Sequence, residues 1–461
     1  MGPDLIQAIS SAVSGDSHFS VEAAHQSIRA DLRKKCTQYR RRIVFWPFGS
    51  QYQEVYRFLA ALEQGVVPVM IAPDMPKKKL QKLIADYPNW GKLNEDGSIT
   101  GSNLSEADPR LLFIAATSGS SGKPKFLAAT TGNIEASVSS IHEAQTLENI
   151  ESTAVWLPFF FNFALINQLF WAVLYQRKLV LLPGMKEAGT SFDIMRKTGA
   201  QMICWVNSQA RMIQKLGFTD KDRLPDVKQV NFGGSVFPMH YVDYLRTIFP
   251  SAELINNYGC TEALSRMSLC RVENKNQDHT YVGKSIRCVR MRIEEGTEEG
   301  RLQFTGASKT LGEVLNDGSI QPYNEWVSTG DTGKIKNGQI FVYGRHDQIF
   351  KVSGERLSLV EIEKAMLHIQ GIENALAWTL PDENGEQAPV VVIQGEKLPG
   401  VHPVRTCLRD YIPRRAWPVH IYWTPDWPLT DRGKTDRKKI QDTAVKGKYD
   451  EIRAKDIGPR T

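Results

Sequence analysis

The sequence is short of paired cysteines, of one-sided charge, of low-complexity linkers and of internal repeats. Its six cysteines (Cys36, Cys204, Cys260, Cys270, Cys288, Cys407) form no CxxC pair. That excludes a zinc ribbon and a disulfide framework and points to a reducing, cytoplasmic setting. The 57 Lys+Arg against 51 Asp+Glu leave a net charge of only +6. Such a surplus favours anionic ligands such as nucleotides but is too small and dispersed for a nucleic-acid partner. The opening MGPDLIQAIS lacks an apolar signal core and the hydroxyl of a myristoylation motif, so neither export nor anchoring is expected. One uncharged run, Thr153 to Gln176, is long enough to cross a bilayer. It contains Pro158, Asn162, Asn167 and Gln168, which are expensive in lipid, so a buried strand, loop and helix are expected there instead of a membrane span.

What is present is a folded chain of 461 residues, 41% hydrophobic and 23% charged, too long for one core. From about residue 40 to 260, short apolar runs (RIVFW, VPVMIA, LLFIAAT, KLVLL, QMICWV, VKQVNF, ELIN) alternate with stretches of helical periodicity such as Gln51–Glu63 and Met239–Ile248. The alternation predicts an α/β fold with sheets covered on both faces. After about residue 266 the runs become short and alternating, which predicts an antiparallel sheet or β-barrel-like subdomain. A last α+β unit begins near Asp347, with helices around Leu359–Ile369 and Val404–Tyr411 and a strand around Pro389–Ile393. The expected division is therefore 1–346 and 347–461, with a short joint at about 345–348 that lets the smaller unit swing.

The most informative stretch is FIAATSGSSGKPKFL, residues 113–127. A strand runs into small hydroxyl and glycine residues and then lysines, a combination that offers backbone amides, hydroxyls and charge to phosphate oxygens. It is not a Walker A loop, because the glycine required five positions before Gly122 is Thr117. Further along, VNFGGSVFP ends a strand in Gly233 and Gly234, where backbone can approach a flat ligand closely. NNYGCTEA supplies Tyr258 for stacking on a purine and Glu262 for a Mg²⁺ that bridges phosphates. STGDTGKI places Asp331 in a turn, where a carboxylate can take both ribose hydroxyls.

The order TSGSSGKPK, YGCTE, STGD, GRHDQIFKVSGER and GKTDRK resembles the adenylate-forming superfamily of acyl-CoA synthetases, peptide-synthetase adenylation domains and luciferases, over about residues 40 to 440. The resemblance implies a large N-terminal domain, a small mobile C-terminal domain and a two-step reaction. A carboxylate attacks the α-phosphate of MgATP to give acyl-AMP and pyrophosphate, then a thiol of coenzyme A or of carrier-protein phosphopantetheine, or an amine, takes the acyl group. It further implies that Thr117, Ser118, Gly119, Ser120, Ser121 and Gly122 with Lys125 wrap the β- and γ-phosphates. Gly233, Gly234 and Tyr258 would frame adenine, Thr261 and Glu262 would serve phosphate and Mg²⁺, and Asp331 and Arg345 would hold the ribose. Lys434 would bridge carboxylate and α-phosphate, and rotation at Asp347 would replace it by the Lys351–Gly354 segment for thiol attack.

For the acid, the pocket wall is expected from Phe161, Asn162, Asn167, Trp205, Phe232 and Asn257. Amino-acid-activating relatives carry an aspartate where this chain has Asn162, and an ammonium buried without a carboxylate is costly. LPFFFNFALINQLF resembles the corresponding run of aryl-acid adenylating enzymes, which implies an aromatic, hydroxylated or short hydrophobic acid. The chain departs from the family's pattern at Phe161, at Phe126, and in TTGN at 130–133.

Overall fold

The computed structural model describes residues 40–75, 77–118, 124–184, 187–234, 237, 239–296, 298–345, 349–352, 355–381, 387–412, 414, 417–430 and 435–453. They fall into two units. One holds the chain to Gly296 with Gln303–Thr329 and Ile335–Phe341; the other holds Thr297–Leu302, Gly330–Lys334 and everything from Val342.

In the first unit, Ile43–Pro47 pairs in parallel with Val67–Ile71, which in turn lies beside Leu111–Ser118. Leu111–Ser118 folds back antiparallel on Pro124–Thr130, so this eight-stranded sheet is mixed. Its strands are buried on both faces: Val44 and Trp46 enter one core, Ile43 and Phe45 another. That is why they read as unbroken apolar runs. A second sheet has at one end a parallel set of Lys178–Leu181, Ser152–Val155, Met202–Trp205, Gln229–Phe232 and Glu253–Tyr258. Here the expected barrel is corrected. Ser268–Arg271 pairs antiparallel with Glu253–Tyr258, and the strands after it extend the same sheet in an open row to Val289–Ile293, with no barrel closing among the described residues. Glu253–Tyr258 offers Ser268–Arg271 an edge to pair on, so the later strands lengthen this row instead of closing on themselves.

The uncharged run folds as expected from its polar residues. Ser152–Val155 is a central strand, and after a loop Asn162–Ala164, a wide π turn at Leu165–Phe170 and Trp171–Leu174 follow as one buried helical passage. Gln168 is satisfied inside the core, its Nε2 donating to Thr153 Oγ1 at 2.7 Å and to the Ala154 carbonyl at 2.8 Å. Among the described residues no helix is long and apolar enough to cross a membrane.

Two departures from the family pattern have physical reasons. Phe126 is buried against Tyr87 and Trp90, ring centroids 4.9 and 5.0 Å away, so it fills an aromatic cluster where a glycine would leave a void. In TTGN, Thr130 caps the helix Thr131–Gln145: its Oγ1 accepts the Asn133 N–H at 3.1 Å while Asn133 Oδ1 accepts the Thr130 N–H at 3.2 Å. This reciprocal cap satisfies two of the helix's orphan donors.

The second unit carries a four-stranded sheet in the order Ile372–Pro381, Gln387–Gly395, His420–Thr424, Asp450–Arg453. Alternate residues of Gln387–Gly395 feed opposite cores. Val391 and Ile393 pack with Leu359–Leu367 and Val401–Tyr411, Val390 and Val392 with Ile440 and Ala444 of Arg437–Val445. The period of two, with helices on both faces, is the α+β arrangement expected from the sequence.

Candidate active site

The antiparallel hairpin holds Thr117 opposite Lys125 and Ser118 opposite Pro124, forming the neck of the glycine–serine bend. Gly119, Ser120, Ser121 and Gly122 lie outside the described residues. Lys125 is exposed at the neck, and Leu111–Ser118 packs against the turn Thr261–Ala263. A second tie fixes that turn: the Thr310 N–H donates to the Glu262 carbonyl at 2.9 Å, and the next residue, Leu311, donates to Ala128 on the hairpin at 3.0 Å. Two hydroxyls, an amine and a carboxylate are thus carried on backbone anchored by sheet hydrogen bonds.

The chain from Tyr258 to Met267 doubles back tightly, with Met267 N–H on the Tyr258 carbonyl at 2.8 Å and Ser265 N–H on the Cys260 carbonyl at 3.0 Å. Gly259 is required here, since a Cβ would come 2.0 Å from the Ser265 carbonyl oxygen and 2.9 Å from the Arg266 Cα. Leu264 and Ser265 both take left-handed φ values, 48° and 83°. Each costs about 1 kcal/mol or more, the kind of strain that surrounding structure must over-determine. Tyr323 stands close enough to Glu262 for the carboxylate to reinforce burial in pushing the phenol pKa upward.

The expected acyl wall separates into two faces. Phe161, Asn162 and Phe163 are half-buried, and the Asn162 Nδ2 is a buried donor without an acceptor among the described residues. The Phe163 ring edge lies about 3.0 Å from where a Gly233 Cβ would stand, so the close approach that Gly233 permits is to this ring; Gly234 takes φ +82°. Asn167, turned inward by the π turn, donates to the Phe163 carbonyl at 2.6 Å and to Ser265 Oγ at 2.7 Å. Trp205 and Phe232 sit on the other face of the second sheet, in a core with Trp156, Phe237 and Phe249. Asn257 is engaged in a buried amide network, its Nδ2 on Asn231 Oδ1 at 3.2 Å and its Oδ1 receiving Gln145 Nε2 at 3.5 Å.

Arg266 was not among the sequence-derived candidates, though it is a lone charge in the run ALSRMSLC. It is 0% exposed. One nitrogen, Nη2, donates to Asn167 Oδ1 at 2.6 Å, and the guanidinium lies 5.9 Å from the Phe163 ring centroid. Nε and Nη1 have no acceptor among the described residues. Burial pulls its pKa from 12.5 down to about 9, so it remains a cation at neutral pH. Its ionisable neighbour Cys204 is pushed by burial up to about 12 and stays a neutral thiol, offering no counter-charge.

In the second unit, Asp331 pairs with Arg345 at 3.6 Å. Gly330, at φ +75°, leaves the space the guanidinium takes, because a Cβ would lie 2.5 Å from Arg345 Nη2. After the GK of the GKTDRK segment, Thr435 bridges Leu429, the Asp436 N–H donates to the Pro428 carbonyl at 2.9 Å and Trp427 Nε1 donates to Thr435 Oγ1 at 3.0 Å. Lys434 itself, Asp347 and Gly354 lie outside the described residues; Lys351 lies in Ile349–Val352, in register with Arg356. Among the described residues no three His, Cys, Asp or Glu side chains gather as a metal cage. Glu262 as a single carboxylate suits Mg²⁺, which keeps water and takes phosphate oxygens with one or two carboxylates.

The Thr117–Lys125 neck thus lies beside the turn Thr261–Ala263. Residues 90–320 match the AMP-binding enzyme family; the chain belongs to it, and so to the adenylate-forming ligases. It is similar to bacitracin synthase 3 of Bacillus licheniformis, 24% identical over 424 residues, 83% of this chain and 6% of that protein. It is 23% identical over 379 residues to the D-alanine–D-alanyl carrier protein ligase of Staphylococcus aureus, 76% of this chain and 74% of the ligase. The chain therefore spans only a small part of the synthetase. Its fold matches O-succinylbenzoate coenzyme A synthetase from Bacillus subtilis, solved with ATP and magnesium ion, at TM-score 0.78 and 18% identity over 95% of this chain and 99% of that one.

Proposed function

We propose that the protein activates a small carboxylic acid with MgATP, releasing pyrophosphate and forming an acyl-AMP, and then passes the acyl group to a thiol. The observation that carries this reading is the adjacency of the Thr117–Lys125 neck and the Thr261–Glu262 turn on backbone anchored by the first sheet. The reaction must bring two anions together and stabilise charge building on phosphorus, which a preorganised cation and amide donors do well. Thr117, Ser118 and Lys125 hold the terminal phosphates, Tyr258 stacks on the base, and Glu262 would hold the Mg²⁺. Bound Mg²⁺ supplies charge neutralisation on the phosphate oxygens. Asp331 takes the ribose hydroxyls, with Arg345 holding its carboxylate in place. Lys434 bridges the acid and the α-phosphate.

The acid is aromatic, hydroxylated or short and hydrophobic, because the wall near Gly233 is built from Phe161, Asn162 and Phe163. An amino acid is the second reading, favoured by the relative named for D-alanine. Against it stands the charge of the wall: its described polar groups are amides, a hydroxyl and a cation, with no carboxylate to neutralise an ammonium. The acceptor is the thiol of coenzyme A or of a carrier-protein phosphopantetheine, as the names of the relatives suggest. Rotation of the second unit about Asp347 exchanges Lys434 for the Lys351–Gly354 segment between the two half-reactions.

Replacing Lys434 by Ala is expected to lower ATP–pyrophosphate exchange about 100- to 1000-fold, the cost of one transition-state donor. Exchange at the wild-type rate in that variant would refute the assignment. Pyrophosphate release measured over aryl, acyl and amino acids, with coenzyme A and with holo-carrier protein, identifies acid and acceptor.

A further inference from the structure

We propose that the acid activated here carries a second anionic group, a distal carboxylate, and that Arg266 is the residue that binds it. This rests on the acid-activating reading above and names the substrate class of that same site.

Three features of the cluster lead to it. Arg266 is fully enclosed, makes no ion pair with a described residue, and has Nε and Nη1 without acceptors. An arginine cannot escape the problem by losing its proton at neutral pH, so a buried guanidinium with unmatched donors needs an anion to complete it. Second, the donor imbalance extends beyond one side chain. Asn162 Nδ2, on the residue before Phe163, is also a buried donor without an acceptor among the described residues. A carboxylate brings two acceptor oxygens and the missing charge.

Third, the cluster belongs to the wall of the reaction site. Arg266 leaves the same tight loop that carries Tyr258, Thr261 and Glu262, its Cα against Gly259. Its guanidinium lies over Phe163, whose ring edge reaches Gly233, and Asn167 joins it to Ser265. An acid whose reacting carboxyl lies at the phosphate end therefore presents its far end to Arg266, and an aromatic or short aliphatic spacer beside Phe163 separates the two anions.

The test compares matched pairs in a pyrophosphate-release assay on the full chain: benzoate with terephthalate, phenylacetate with 4-(carboxymethyl)benzoate, hexanoate with adipate. In at least one pair the dicarboxylic member is expected to have a kcat/KM about 100-fold or more higher, as for a site left with unpaired polar groups by the wrong substrate. Arg266→Met should abolish or invert that preference while Arg266→Lys keeps part of it. A readout that needs no variant is the thermal midpoint of the wild-type protein, which the dicarboxylic member should raise above both its monocarboxylic partner and equimolar chloride or phosphate. Preference for the monocarboxylic acids unchanged by Arg266→Met overturns the proposal and leaves acid activation standing. Equal midpoint shifts from chloride or phosphate overturn it too, since Arg266 would then hold an inorganic anion. Absence of pyrophosphate release with every acid overturns the activation reading and this one with it.

Discussion

Arg266→Met should make the ligand-free protein more stable, although it removes a hydrogen bond. The charged guanidinium sits where burial lowers its pKa from 12.5 to about 9. At 1.36 kcal/mol per pH unit this corresponds to roughly 5 kcal/mol carried against folding at neutral pH. Two contacts offset part of that. The charge-assisted bond to Asn167 contributes about 1.5–3 kcal/mol and the Phe163 ring about 0.5–1 kcal/mol. Methionine is of similar length, adaptable in shape and free of polar hydrogens. The net gain is then about 1–3 kcal/mol, within the range seen when buried charges give way to apolar residues. The assay is urea denaturation at neutral pH, read as a rise in midpoint at constant slope. The gap between wild type and variant should narrow as pH rises through about 9, because the folded arginine sheds its proton there while the unfolded chain keeps its own to 12.5. A loss of 1 kcal/mol or more on substitution would refute the reasoning, for it would mean that the guanidinium is already satisfied without a ligand.

Gly259→Ala should destabilise the protein by about 2 kcal/mol or more and suppress pyrophosphate release, since the added methyl meets backbone 2.0 Å away and pushes the Thr261–Glu262 turn off the hairpin; a thermal midpoint equal to wild type would count against the tight loop. Asp347→Pro should leave acyl-AMP formation largely intact and slow thioester formation, measured as separate half-reactions; equal loss of both would count against rotation at the joint.

The residues proposed for the nucleotide could be picked out in the sequence because they belong to local chemistry. Thr117, Lys125, Tyr258, Thr261 and Glu262 occur in short runs whose spacing is set by a strand end and a turn, and neighbours in sequence stay neighbours in space. The seven parallel-type strands were legible for a related reason, since burial on both faces demands unbroken apolar runs. The open extension of the second sheet was not, because a strand's alternation says which face is buried and nothing about whether the last strand meets the first.

The acyl wall shows the opposite limit. From the sequence, Trp205 and Phe232 were expected in the pocket wall alongside Phe161. Only the pairing of Met202–Trp205 with Gln229–Phe232 decides that they face a core on the far side of the sheet from Asn257. Arg266 carried no motif at all. Its meaning comes from the fold-back at Gly259, which turns a surface type of residue into the interior and beside Asn167, roughly one hundred positions earlier in the chain. Composition and order thus determined that this is a nucleotide-handling α/β protein, because those signals live within a dozen residues. The tertiary structure decided which side chains share one enclosed space, because charge and burial become binding energy only where distant segments exclude water together.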